Sequence, residues 1–224
     1  MSVTFPDAWR DRCRRTGVVA VVTLDDPERA EPLAEALLEE GIDLLELTLR
    51  TPAALQAMLR IAQAFPEMGL GAGTVLNPAQ IPQVMEAGAE FGVAPGLNPA
   101  VVIAAQRAGL PFAPGVCTPS EVEQALELGC HVLKFFPAEP LGGARLLRMV
   151  ATPYAHLGVE FLPLGGLTQT TAESYLREPH VLALGGSWIA PRELIAAANW
   201  PQIRLHARAI RALVQSVRGT SPAP

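Results

Sequence analysis

Apolar and polar residues along this chain fall into blocks of two kinds that repeat in a fixed order. Val18-Val19-Ala20-Val21-Val22 is a continuous, mostly β-branched run, the pattern of a strand buried on both faces. Asp26-Pro27-Glu28 then offers an N-cap aspartate and a proline in the first helical turn. Ala30, Leu33, Ala34, Leu37 and Leu38 follow at the spacing of one buried helical stripe, and Gly41 ends it. The cap-and-proline pair recurs at Thr51-Pro52, Asn77-Pro78, Asn98-Pro99 and Thr118-Pro119. Gln80 and Glu121 stand three residues beyond their caps, as a capping box requires. Further closing glycines are Gly88, Gly109 and Gly129, and a short apolar segment separates each from the next cap.

This rhythm predicts parallel βα units, with strands near 18–23, 43–49, 69–74, 91–95, 111–114, 131–136, 160–164 and 181–185. A leading helix is expected over 6–16 and a long C-terminal helix over 192–217. Eight such strands make an α/β architecture of the (β/α)8 TIM-barrel type the first expectation, and an open doubly wound sheet the second. The expected organisation is an N-terminal helix packed on the barrel (1–17), the barrel itself (18–218) and a flexible tail (219–224).

Composition narrows the picture. With 50% hydrophobic and 17% charged residues over 224 positions, the chain can bury one large core and is not a disordered polymer. A net charge of −5 argues against a nucleic-acid binder, so an anionic small molecule would need local donors. Cys13, Cys117 and Cys130 have no CxxC spacing and read as reduced thiols, which suits a cytoplasmic protein. The four histidines show no ligand spacing, so no metal and no cofactor is expected. Arg10, Arg12, Arg14 and Arg15 near the start are not followed by a signal-peptide apolar region. No run reaches the ~20 residues of a membrane span.

The chemistry centres on Lys134, the sole lysine; every other cationic side chain is an arginine. Arginine stays protonated, whereas a lysine in apolar surroundings can become a neutral, nucleophilic amine able to form a Schiff base. Strand alternation sets Val132, Lys134 and Phe136 on one face. In 43–50, Leu45, Leu47 and Leu49 share one face, while Glu46, Thr48 and Arg50 share the other and should point into the barrel. Glu46 could serve Lys134 either as a purely structural ion-pair partner or as the proton carrier that imine chemistry needs. Arg50 at the mouth suits a carboxylate, or a surface salt bridge. Gly71-Ala-Gly-Thr74 places a hydroxyl at the rim. Gly165-Gly166 and Gly185-Gly186-Ser187 fall on the last two strands, where many barrels bind phosphate on backbone N–H groups.

Taken in order, Glu46-Leu-Thr-Leu-Arg-Thr51, Gly71-Ala-Gly-Thr-Val-Leu-Asn-Pro78, Pro95-Gly96, Pro114-Gly115, Lys134-Phe-Phe-Pro-Ala-Glu139, Gly165-Gly166 and Gly185-Gly-Ser-Trp188 span nearly the whole chain. This set resembles the 2-keto-3-deoxy-6-phosphogluconate (KDPG) aldolases, several of which also act on 4-hydroxy-2-oxoglutarate. The resemblance implies a homotrimer of barrels that cleaves KDPG to pyruvate and glyceraldehyde 3-phosphate without a metal. It implies Lys134 as the Schiff-base lysine, Glu46 as general acid/base, and Arg50 and Thr74 at the pyruvate carboxylate. Pro95 and Phe136 would shape the pocket, and Gly165, Gly166, Gly185, Gly186 and Ser187 would surround the phosphate. The family's phosphogluconate members usually carry threonine where this chain has Leu164, and galactonate-type relatives carry an aliphatic residue there. A 2-dehydro-3-deoxy-6-phosphogalactonate substrate is therefore the first alternative. A phosphosugar isomerase or epimerase using Glu46 as its base, and a barrel that binds a phosphorylated metabolite without turnover, are the others.

Overall fold

In the computed structural model, which describes residues 4–219, helices and strands alternate as the punctuation predicts. Helix α1 (Asp7–Thr16) leads into β1 (Val18–Val22), α2 (Ala30–Leu38), β2 (Leu44–Thr48), α3 (Ala54–Ala64), β3 (Gly69–Gly73), α4 (Gln80–Glu86), β4 (Phe91–Val93) and α5 (Pro99–Ala108). The chain continues through β5 (Phe112–Ala113), β6 (Gly115–Val116), α6 (Pro119–Glu127), β7 (Val132–Phe135), α7 (Ala138–Leu141), α8 (Gly143–Ala151) and β8 (Glu160–Pro163). It ends with α9 (Ala172–Leu176), β9 (Leu184–Gly186), α10 (Arg192–Ala196) and α11 (Trp200–Arg218). Beyond Gly219, the expected tail lies outside the described residues, as do residues 1–3 of the expected N-terminal segment.

Every strand pairing is parallel. One sheet runs in the order β5-β4-β3-β2-β1-β9 and the other in the order β6-β7-β8. The strand expected over 111–114 is found as β5, and beyond Pro114, which has no N–H to give a ladder, the chain runs past those bounds as β6, so the two are halves of one broken strand. The first half pairs with β4 and the second with β7, so the sheet curls around this segment. A single parallel bridge, Phe161 to Val181, joins β8 to the segment that leads into β9.

Local signals are mostly realised as the sequence places them. Thr118 and Glu121 form a complete capping box, Asn98 caps α5, and Asp26 accepts from the Glu28 N–H. The closing glycines Gly41, Gly88, Gly109 and Gly129 all lie at φ between 76° and 92°, the left-handed region that ends a helix without a Cβ penalty. Three expectations need correction. The box expected at Asn77 is only half made: the Gln80 side chain accepts from the Asn77 N–H, but Asn77 Oδ1 accepts from the Ala79 N–H and does not cap α4. Thr51 does not cap α3; its hydroxyl donates to the Leu24 carbonyl. The helix expected over 192–217 is two helices, because Ala198 turns at φ 52° and Asn199 caps a new start whose first turn holds Pro201.

Two layers of apolar residues result. Even positions of β1 and odd positions of β2 (Val18, Ala20, Val22; Leu45, Leu47) join the helices in the larger cluster. The opposite faces supply an inner cluster that includes Val19, Leu44, Phe91, Ala113, Val132 and Leu162. The inner cluster is floored by Phe5, Trp9 and Cys13, with the Trp9 ring 5.0 Å from Phe91. The arginines of α1 anchor that floor: Arg10 and Arg14 pair with Glu160, and Arg12 and Arg15 with Asp43. Strand β3 gives the interior no side chain at Gly71 and Gly73. A Cβ on Gly71 would lie 2.2 Å from the Phe91 ring, and one on Gly73 would lie 2.2 Å from the Glu46 carboxylate. No helix among the described residues is long and apolar enough to cross a membrane.

Candidate active site

Alternation on β2 turns Glu46 and Thr48 inward, and alternation on β7 turns Lys134 inward between the neighbouring strand positions Gly115 and Leu162. The two sides meet: Lys134 Nζ donates to Glu46 Oε1 at 3.0 Å, with Lys134 5% and Glu46 2% exposed. Below them the interior is filled; Gly73 leaves space for the carboxylate on one side, and the Phe136 ring centroid lies 5.7 Å from Nζ. An amine and a carboxylate held together in an apolar interior can exchange a proton directly. That is what imine formation and proton transfer at carbon both demand.

The remaining expected residues gather at the C-terminal ends of the strands. Thr74 follows β3 and is held at φ 61°, an uncommon conformation for a β-branched residue that stores on the order of 1–3 kcal/mol. Pro95 follows β4, and its carbonyl packs over Gly115 closely enough to forbid a Cβ there. Leu164 is 5% exposed and lies against Gly185, where a Cβ would fall 2.1 Å from Leu164 Cγ. Gly165 and Gly166 have φ of 94° and 81°. The Gly165 carbonyl accepts from the Glu139 N–H at 3.0 Å and the Leu164 carbonyl from the Ala138 N–H at 2.8 Å, tying this loop to the segment after β7. Phe136 packs against Gly165. Gly185 and Gly186 are buried at the end of β9, and Ser187 is exposed just beyond.

Arg50 departs from the inward row expected for it. β2 ends at Thr48, the Arg50 N–H donates back to the Thr48 carbonyl at 2.8 Å, and the side chain is exposed at the rim. It has no ion pair among the described residues, so the surface salt bridge that was the alternative expectation is not made. Two features escaped the sequence reading. Thr23 Oγ1 lies 2.8 Å from Thr48 Oγ1. Arg192 makes a two-pronged contact with Asp25, and its hydrogen bonds hold the Asp25 carboxyl below its usual range. The inward alternation Val19, Val21, Thr23 was a usable signal for the first; nothing local marks the second. Among the described residues no group of three or more His, Cys, Asp or Glu side chains is placed to hold a metal ion.

Comparison with known proteins follows the same lines. The family model of the KDPG and KHG aldolases matches residues 10–205. A 2-dehydro-3-deoxy-phosphogluconate aldolase of Treponema pallidum is 45% identical over 189 residues, covering 84% of this chain and 89% of its own. A KDPG aldolase structure from Legionella pneumophila, with pyruvate captured as a covalent carbinolamine intermediate, superposes with a TM-score of 0.85. It is 39% identical and covers 90% of this chain and 97% of its own. The Zymomonas mobilis ZM4 2-keto-3-deoxy-6-phosphogluconate aldolase with 3-phosphoglycerate superposes at 0.82, with 38% identity over 91% of this chain and 95% of its own. With a matched model over most of its length, and with relatives of this identity and coverage, the chain belongs to the KDPG and KHG aldolase family.

Proposed function

We propose that this protein is a class I aldolase, a lyase that cleaves 2-dehydro-3-deoxy-6-phosphogluconate to pyruvate and glyceraldehyde 3-phosphate, and that also accepts 4-hydroxy-2-oxoglutarate. The observation that carries this reading is the buried contact between the chain's one lysine and Glu46. Lys134 Nζ adds to the C2 carbonyl to give a carbinolamine, which loses water to become an iminium. Glu46 takes the proton of the C4 hydroxyl as the C3–C4 bond breaks. The bond electrons pass into the iminium as an enamine while the aldehyde leaves. Glu46 returns a proton to C3, and water releases pyruvate from Lys134. Arg50, exposed at the rim, and Thr74 hold the carboxylate, with Pro95 and Phe136 as walls. Gly165, Gly166, Gly185, Gly186 and Ser187 bring backbone N–H groups to the phosphate.

The wider organisation we infer is a complete (β/α)8 barrel. The split strand β5/β6 and the Phe161–Val181 bridge supply the continuity between the two sheets, and α1 forms the floor. The homotrimer implied by the resemblance and a cytoplasmic setting for the three free thiols belong to the same reading. Leu164 favours a second substrate, the C4-epimeric 2-dehydro-3-deoxy-6-phosphogalactonate, since an aliphatic side chain cannot hydrogen-bond a substrate hydroxyl.

The test is borohydride reduction in the presence of pyruvate, read by intact mass and peptide mapping, with the N-terminal amine as internal control. A pyruvate-dependent adduct on the peptide holding Lys134 is expected, and Lys134→Arg should abolish both adduct and turnover. An unmodified Lys134 peptide from folded, pyruvate-saturated protein would overturn the mechanism and favour an isomerase or a non-catalytic binding barrel.

A further inference from the structure

Above the Lys134–Glu46 pair, the interior carries a second polar feature. Val19 and Val21 belong to the inner cluster, and the same alternation brings Thr23, one residue past β1, to the inner face. On β2 the inward row is Leu44, Glu46, Thr48. The register pairs Val21 with Glu46 and Val22 with Leu47, so Thr23 falls beside Thr48, and their hydroxyls meet at 2.8 Å. Thr48 is 6% exposed, and Thr23 is half-buried. Thr23 also lines a cleft of about 140 Å³ together with Asp25 and Arg192, so the Thr23 end of the pair is open to solvent.

Two hydroxyls carry two protons, and their mutual hydrogen bond uses one. Neither has a further partner among the described residues, so one donor and several lone pairs remain available in a largely desolvated position. A guest hydroxyl can replace water as the partner of these groups. It stands one inward step beyond Glu46 along β2, roughly 7 Å, on the side where a substrate enters. The inward side chains that follow β7 and β8, Phe136 and Leu164, offer a guest no hydrogen bond.

We infer that the Thr23–Thr48 hydroxyl pair is a specificity-determining subsite that hydrogen-bonds the hydroxyl-bearing carbons of the aldehyde half of the substrate, the C4–C5 diol of the sugar acid. This rests on the aldolase reading above. The pyruvate half carries no such hydroxyl, so the two halves of the reaction separate the subsite from the catalytic pair.

The experiment compares cleavage of the phosphorylated sugar acid with solvent deuterium exchange at the pyruvate methyl, in the unaltered protein and in Thr48→Val, Thr48→Ser and Thr23→Val. Thr48→Val should lower kcat/KM for cleavage about 10- to 100-fold, while exchange stays within about threefold. Thr48→Ser should restore most of the loss, and Thr23→Val should shift cleavage in the same direction by less. A parallel fall in exchange would show that Thr48 merely supports Glu46, and unchanged cleavage would show that the pair does not meet the substrate; either overturns the inference. Should Thr48→Val not fold, Thr23→Val makes the same comparison at a half-buried position. Failure of the unaltered protein to give a pyruvate adduct on Lys134 would instead bring down the aldolase reading, and the subsite with it.

Discussion

Gly73 is the position at which one added carbon should disable the candidate site. A Cβ there falls 2.2 Å from Glu46 Oε1 and 2.8 Å from its Cδ and Cγ, short of a relaxed contact by roughly 1 Å or more. The carboxylate is the end of a flexible side chain, but it is 2% exposed and already committed to Lys134, so it can retreat only by stretching or losing the 3.0 Å bond. Overpacking of this kind costs about 1–3 kcal/mol, and separating a buried pair costs more, which suggests a loss near 2–4 kcal/mol. For a chain of this size that is a fall in Tm of roughly 5–15 °C. A carboxylate displaced by about 1 Å should lower kcat on the order of 100-fold. Gly73→Ala is assayed by thermal unfolding, by kcat for KDPG cleavage and by the rate of borohydride trapping with pyruvate. Gly96→Ala is the stability control, because a Cβ at Gly96 meets nothing within 4 Å; its Tm should move by no more than about 2 °C. A Gly73→Ala protein with unchanged Tm and kcat would show that Glu46 does not rest on Gly73 in the working enzyme.

Two further outcomes follow from buried side chains. Leu164→Thr places a hydroxyl against Gly185 in the interior and should change the ratio of kcat/KM values for the two C4-epimeric substrates by about fivefold or more. An unaltered ratio would remove Leu164 as a stereochemical determinant. Burial pushes the Cys130 thiol up to about 11 from an ordinary 9.0. The folded state therefore keeps this proton after the unfolded state has released it. The resulting stabilisation is whole below about pH 9 and is lost as pH rises through about 11, with a slope of up to about 1.4 kcal/mol per pH unit. Urea midpoints measured from pH 8 to 11 should fall less steeply in Cys130→Ala, and identical slopes would refute the assignment.

The amino-acid sequence by itself determined where helices start and stop, because caps, prolines and closing glycines act within one helical turn. Thr118 with Glu121, Asn98 with Pro99 and the left-handed glycines needed no distant residue to be read correctly. It also determined which faces of β2 and β7 carry the polar side chains, since strand alternation is a local property. It marked Lys134 because no other lysine exists.

Tertiary structure alone decided which faces meet. Lys134 and Glu46 lie 88 residues apart, and only strand order and register bring Nζ to Oε1. The same holds for Gly73 as the seat of that carboxylate, for Thr23 beside Thr48, and for Asp43 and Glu160 as anchors of the α1 arginines. The departure of Arg50 from the inward row also needed the fold, because alternation stops where the strand does and a turn after Thr48 sets the next direction. Periodicity specifies a surface. The partner of that surface is chosen by packing across the sheet, where interior volume is filled once and each glycine or side chain limits what its neighbour can be.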